Sequence, residues 1–481
     1  MASDHPKPEH LLLKAPKNFI PDALIAEFGH PTEELKGKPY QHRDRLYYLI
    51  HLMSRHYQDG KHPDTYINTC SEALKNVFRS YKTYLNYLTE HGVIESDDSY
   101  SNFKGYEKCK GYRLTIPYRE SPIMRVIIFD EDIVRKIEKN KARKTQEARE
   151  KYPQLCDQFD LLDVDEKEAK AILDNLYKDT EEDIMNRAQQ QNLLNKVQNK
   201  TGSFKVGRTG RLYNPISNLR KELRPALRVN GEKLVELDIK ASIPTILEIL
   251  LSREGAKRFD KKIRKYSNYR KLKGGNNEKK TQQGLGRGQQ GNKETRRNLN
   301  RASKDNPYMW ANFGGLLTEP DVIQFREDIS KDDNDIYDIY TEKFNEVFDK
   351  EIERGDAKKI VLSIINSPKY CESGHKDLLQ TMYPNVIEII DKINGYFKIS
   401  QNGVINDDVA PIAYITQEIE SDFVLGIVCS KIVEQYPDIP IYTIHDAIYT
   451  TNEFADNVHD IILEEAKAFY GVDISVKKKP L

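Results

Sequence analysis

The chain has 481 residues, 38% hydrophobic and 31% charged, with a mean hydropathy of -0.71; that length suits roughly two or three domains with much solvated surface. No stretch of about 18 apolar residues occurs, and the opening MASDHPKPEH lacks a signal-peptide apolar core, so a helical membrane protein is excluded and a cytoplasmic protein with no membrane partner is expected. The five cysteines (Cys70, Cys109, Cys156, Cys371, Cys429) are scattered with no Cys-x-x-Cys pair, so reduced thiols that ligate nothing are expected.

A formal net charge of zero conceals a strong asymmetry. From Arg253 to Lys304 there are 18 Lys/Arg against 4 Asp/Glu, net +14, which leaves the rest of the chain at -14. A basic block of that density is an electrostatic footprint for phosphate. Its Gly274-Gly-Asn-Asn and Gly284-Leu-Gly-Arg-Gly stretches read as a flexible insert.

Taken in order, residues 1–40 carry Pro6, Pro8, Pro16, Pro21 and Pro31 with little periodicity and read as an irregular arm. Between Gln41 and Tyr57 the apolar residues Leu46, Tyr47, Ile50, Leu52 and Met53 recur at helical spacing. Thr69-Cys70-Ser71 offers an N-cap for a helix through Leu74, Val77 and Phe78. A second helix runs from Tyr81 to His91, with Tyr84, Leu85 and Leu88 inward and Gly92 as its stop. Val93-Ile94 begin a strand, Asp97 to Gly105 is a polar hairpin tip, and Gly111 to Leu114 is the return strand. Helix, helix, strand, wing, strand over residues 41–118 resembles the winged-helix domains of plasmid replication proteins. The resemblance implies that the second helix docks in a major groove, with Arg79, Lys82, Lys104, Lys108 and Lys110 near phosphates. Residues 119–204 read as a helical connector with charge runs at Lys139–Lys151 and Asp163–Lys170.

From Gly207 the texture changes. Arg208, Arg211, Arg220, Arg224 and Arg228 punctuate a segment that feeds the apolar strand Lys233–Ile239, a placement suited to a nucleic-acid backbone or a triphosphate tail. The strand ends on Asp238, Ser242-Ile243-Pro244 follow, and a helix runs through Ile246, Leu247, Ile249 and Leu250. Beyond the basic block, helices are expected at Glu319–Ser330 and Asp333–Asp349. In the segment Arg354–Tyr370, Arg354 and Lys358 stand at i and i+4 and share a helix face, which suits a grip on phosphates. Helices at Val386–Phe397 and Ile412–Ile432, the latter carrying Gln417, precede Ile439–Thr450 (IPIYTIHDAIYT), two short strands meeting at His445-Asp446. A helix, Glu453–Phe469, and a strand, Val472–Lys479, follow.

Asp238 and Asp446 thus each sit at the end of a buried strand. Phosphoryl transfer to a polymer end needs in-line geometry and two Mg²⁺ ions roughly 3.5–4 Å apart to neutralise charge. Mg²⁺ takes carboxylates together with substrate phosphates and keeps waters, so two aspartates suffice. The series LVELDIKASIP, Arg354-x3-Lys358 and TIHDAIY resembles motifs A, B and C of family A DNA polymerases and the related single-subunit RNA polymerases, over residues 205–481. The resemblance implies that Asp238 and Asp446 hold two Mg²⁺ ions, with Mn²⁺ as a substitute and the Ile239 carbonyl joining them. Arg354 and Lys358 would hold the triphosphate, His445 would sit near the primer terminus, and Gln417 would touch the terminal base pair in the minor groove. Three positions depart from the family. Asn366 and Ser367 replace an aromatic that stacks on the nucleotide and its following glycine. Ile243 replaces the glutamate of DNA polymerases or the glycine of RNA polymerases that governs sugar choice, and Ala447 matches neither group after the His-Asp pair. The choice between dNTPs and NTPs is therefore open, as are the template and the oligomeric state.

The expected fold is a helix-rich α+β chain. It comprises an irregular arm (1–40), a winged helix (41–118), a helical connector (119–204), and a right-hand polymerase palm with reduced fingers and thumb (205–481) containing the basic insert (253–304). The expected activity is a nucleotidyltransferase resembling a DNA-directed DNA polymerase, with primer-template nucleic acid and nucleoside triphosphates as partners. Its expected setting is replication of a phage, plasmid or mobile element of a bacterium. Two alternatives stand beside it: a template- or primer-independent nucleotidyltransferase, motivated by Asn366 and Ile243, and a DNA-binding replication initiator with an inactive palm.

Overall fold

The computed structural model describes residues 10–32, 39–58, 66–69, 71–98, 109–178, 180–240, 242–262, 315–331, 334–348, 350–366, 373–396 and 411–481. Most of the basic block, the hairpin-tip residues Lys104 and Lys108, Cys70, Cys371 and Ser367 lie outside them. The chain is helix-rich α+β and divides into two compact units, one of residues up to Arg143 and one beginning at Lys144. Among the described residues no helix is long and apolar enough to cross a membrane.

The first unit corrects the expectation of an irregular arm. That segment contains strand β1 (Leu11–Pro16) and a helix (Pro21–Phe28). A helix (Pro39–Gln58), β2 (Ile67–Asn68), two helices (Ser71–Val77 and Tyr81–Glu90), β3 (Ile94–Ser96), β4 (Gly111–Leu114) and β5 (Ile123–Ile128) follow. β1 pairs antiparallel with β5, from Leu11↔Ile128 to Pro16↔Ile123. Pro16 falls at the strand end, where a missing N–H is tolerated. Strands β2, β4 and β3 form a second antiparallel sheet in that order. Leu46, Leu49, Ile50, Met53, Tyr84, Leu85, Leu88, Ile94 and Leu114 make up much of the core between them. Two buried aspartates are fully used there: Arg45 Nε donates to Asp130 Oδ2 at 3.0 Å, and the Asp130 N–H donates to Asp44 Oδ2 at 2.8 Å.

The unit boundary falls inside the helix Glu131–Lys151 rather than at residue 119. Residues 119–143 belong to the first unit, and the remainder of the expected connector is core of the second, through Phe159, Leu173, Val197 and Phe204.

The second unit is built on β6 (Leu162–Val164), β7 (Lys205–Val206), β8 (Leu212–Tyr213), β9 (Leu227–Val229), β10 (Glu232–Ile239), β11 (Tyr442–Ile444), β12 (Ala447–Thr451) and β13 (Val476–Pro480). β7 and β8 pair with each other, and the rest form a six-stranded sheet in the order β11-β12-β10-β9-β6, with β13 also pairing β10. β10 alternates, so Leu237 and Ile239 lie on one face and Glu236 and Asp238 on the other. The helix Ala455–Tyr470 covers the first face, burying Val458, Ile461, Ile462 and Ala466. The helix Ser242–Leu250 packs against those at Pro411–Ser421 and Pro320–Ser330. The single helix expected over Ile412–Ile432 is interrupted by a π-helical stretch, Asp422–Val428, before Cys429–Gln435. Cys156 and Cys429 are free and buried, and burial pushes their thiols up to about 11 and about 12, which keeps them unreactive.

Candidate active site

Strand register brings the two aspartates together. In the antiparallel pair of β10 and β12, Asp238 lies opposite Ala447, the residue after Asp446. Burial raises the Asp238 carboxyl above its usual value, the negative charges of Asp446 and Glu236 raise it further, and Lys358 and Lys221 pull it down. Three acids and two cations therefore act on one another around the end of β10. Ile239 is buried, and the next residue ties the strand end down, since Lys240 N donates to the Ser475 carbonyl at 2.9 Å. Ile243 is half-buried in the first turn of the helix Ser242–Leu250.

His445 and Asp446 form the two-residue loop between β11 and β12, whose last pair is Ile444↔Ala447. His445 adopts φ +57°, left-handed backbone that is uncommon outside glycine and in which asparagine, aspartate and histidine are the enriched exceptions. Its ring meets Tyr213 edge-on at 6.1 Å, and its Nδ1 is buried with no hydrogen-bond partner among the described residues. Burial lowers its pKa, with Arg211 and Arg224 adding to the fall and Asp446 opposing it, which favours the neutral imidazole. Asn214 Nδ2 donates to the Thr443 carbonyl at 2.9 Å and fastens the hairpin to the β8 loop.

The arginines expected to meet nucleic acid have protein partners. Arg211 donates to Glu420 Oε1 from Nε at 2.9 Å. Arg224 Nη1 donates to Tyr449 Oη at 2.6 Å and to Glu236 Oε1 at 3.2 Å, and Tyr449 also donates to Glu236. Arg220 pairs with Glu222 at 3.2 Å and reaches the Tyr177 hydroxyl. Arg208 stacks over Tyr414, its guanidinium 4.6 Å from the ring centre.

Arg354 and Lys358 share the helix Arg354–Ile365 but differ in surroundings. Arg354 pairs with Asp335 and, at 3.1 Å, with Asp338, and lies 5.4 Å from the Tyr337 ring centre. Lys358 is exposed, has no ion pair among the described residues, and acts electrostatically on Asp238. Asn366 caps the C-terminal end of that helix, its Oδ1 buried and without a partner among the described residues. Gln417 is half-buried on the helix Pro411–Ser421.

Sequence reasoning missed Glu420. It is 1% exposed, held by Arg211 and by Ser242 Oγ at 3.2 Å, and close enough to Asp446 to feel its charge. Two acids, Glu418 and Glu420, set among the apolar residues of AYITQEIES are the signal that could have found it. Gly210 (φ +84°) lets the arginine loop approach this helix, because a Cβ there would meet Ser421 Oγ at 2.9 Å.

No protein-family model and no curated protein matches this chain. Among solved structures it is similar to the POL domain of Pol1 from M. smegmatis in complex with DNA primer-template and dNTP, at 13% identity and a TM-score of 0.30. The likeness covers 62% of this chain and 52% of that one, so the chain spans about half the length of that structure.

Proposed function

We propose that this chain is a template-directed nucleic-acid polymerase that adds nucleotides to a 3′-hydroxyl by two-metal catalysis. The observation that carries the reading is the β10–β12 register, which sets Asp238 opposite Ala447 and thus beside Asp446, where burial first and then the charge of Asp446 raise the Asp238 carboxyl. Crowded carboxylates on one half-buried face fit a hard divalent cation, whose charge offsets their repulsion. Among the described residues no group of three or more His, Cys, Asp or Glu forms a metal site. The pair would therefore be completed by the Ile239 carbonyl, water and substrate phosphates. Mg²⁺ or Mn²⁺ held there would supply Lewis-acid polarisation and charge neutralisation for phosphoryl transfer.

The remaining roles belong to side chains. Lys358, exposed and coupled to Asp238, would neutralise the triphosphate. Arg354 would anchor the helix that carries it, through Asp335 and Asp338. Neutral His445 would offer a hydrogen bond at the primer terminus rather than a charge. Arg211 and Arg224 would shape the site from within, while Arg208 and Gln417 stay as nucleic-acid contacts. Asn366 and Ile243 would border the nucleotide. In this reading residues 205–481 are a right-hand palm related to family A, acting in replication of a mobile element. The first unit is a winged helix, supported by its helix–strand–helix–helix–strand–strand order and by Lys82, Thr83 and Asn86 exposed on the helix Tyr81–Glu90.

Primer extension with Mg²⁺, offering dNTPs and NTPs separately, tests the reading alongside Asp238→Ala and Asp446→Ala. Extension by the wild type that both variants lose supports it. Equal inactivity of all three on primed and unprimed templates favours a binding protein with an inactive palm.

A further inference from the structure

We infer that strand β13 carries a phosphate-binding rail for the nucleic-acid strand that ends at the carboxylate pair; this rests on the polymerase reading above. β13 pairs antiparallel with β10, with Lys477 opposite Asp238, Lys478 opposite Leu237 and Lys479 opposite Glu236. Directly opposed residues in an antiparallel pair share a face of the sheet. Three consecutive lysines are thereby sorted onto two faces. Lys478 goes to the face of the helix Ala455–Tyr470 and donates to Asp456 at 2.6 Å. Lys477 and Lys479 go to the face of the acids.

Both of those lysines are exposed, and neither has an ion pair among the described residues. Glu236 does not require Lys479, because Arg224 and Tyr449 already hold its carboxylate. Residues two apart on a strand are spaced by about 6.7 Å, comparable with neighbouring phosphates along one nucleic-acid strand. The row starts beside Asp238 and runs back along β10, away from the strand end where chemistry would occur. Lys358 approaches the same aspartate from a separate helix and suits the triphosphate. The rail suits the backbone phosphates of the primer. Edge lysines also discourage sheet-to-sheet pairing, but that purpose does not depend on which face they occupy.

The test is fluorescence anisotropy of a labelled primer-template with the full chain over a salt series, together with steady-state extension. Lys477→Ala/Lys479→Ala is expected to weaken binding about tenfold and to lower the salt slope by roughly 1–2. Its KM for primer-template rises while the KM for nucleotide stays unchanged, and Lys477→Arg/Lys479→Arg restores binding. Lys478→Ala, on the opposite face, leaves the affinity and salt slope intact. If the wild type extends primers and the double alanine variant matches it in affinity and salt slope, the lysines protect the edge only and the rail is overturned. If the wild type itself neither binds nor extends primer-template, the polymerase reading fails and the rail falls with it.

Discussion

Arg211 and Glu420 form a buried ion pair across the second unit, with Arg211 Nε donating to Glu420 Oε1 at 2.9 Å. The other carboxylate oxygen accepts from Ser242, which opens the helix directly after Asp238. One acid thus joins the arginine loop, the helix Pro411–Ser421 and the segment leaving β10. Arg211→Leu leaves that carboxylate buried without its cation and should cost about 3–5 kcal/mol, whereas Arg211→Leu/Glu420→Leu should cost less than the sum of the two single changes. Urea denaturation of the four proteins measures this, and a coupling below about 0.5 kcal/mol would contradict it.

Burial pushes the Glu420 carboxyl from 4.5 up to about 7, against the pull of Arg211 and with help from Asp446. A carboxyl raised in the folded state favours its protonated form there. Its contribution to stability is complete below about 4.5 and is lost as pH rises through about 7. Metal-free wild type should therefore lose more melting temperature between acidic and mildly alkaline buffer than Glu420→Gln does. Parallel pH slopes for the two proteins would remove Glu420 as the titrating group.

Under the proposed function, Lys358 and Arg354 would separate a chemical role from a structural one. Lys358→Ala should lower kcat/KM for the nucleotide by roughly 10²-fold, about 3 kcal/mol of transition-state stabilisation, with an unchanged melting temperature. Arg354→Ala releases Asp335 and Asp338 and should act first on stability, by about 1 kcal/mol, with a smaller kinetic effect. Kinetics and thermal melts on both variants decide this, and the reverse ranking of kinetic losses would reassign the triphosphate contact.

Tyr449 is buried, and its hydroxyl joins Arg224 to Glu236. Tyr449→Phe leaves part of that carboxylate unsatisfied and should cost about 1–3 kcal/mol in denaturation. A neutral substitution would show that Arg224 alone satisfies Glu236.

How much of this is legible in sequence depends on how local the cause is. KLVELDI and IPIYTIHDAIYT are short apolar runs with turn chemistry at their ends, so β10 and the β11–β12 hairpin are readable. β1 is not, because LLLKAP finds its partner more than a hundred residues away, where IMRVII forms β5. Prolines at residues 16 and 21 mark a strand end and a helix start, not the absence of structure. The arginine segment is readable as a cluster but not in its pairing. Whether Arg211 points to solvent or to Glu420 is settled by a helix distant in sequence. Lys477 resists reading for a related reason, since only register tells it from Lys478.

The most direct test of the central claim is primer extension by the purified chain with Mg²⁺, comparing wild type, Asp238→Ala and Asp446→Ala on primed and unprimed templates. The account predicts template-dependent extension by the wild type and its loss, by a factor of at least roughly 10³, in each variant. Extension that survives in either variant, or a wild type inactive on every template and nucleotide, would contradict it.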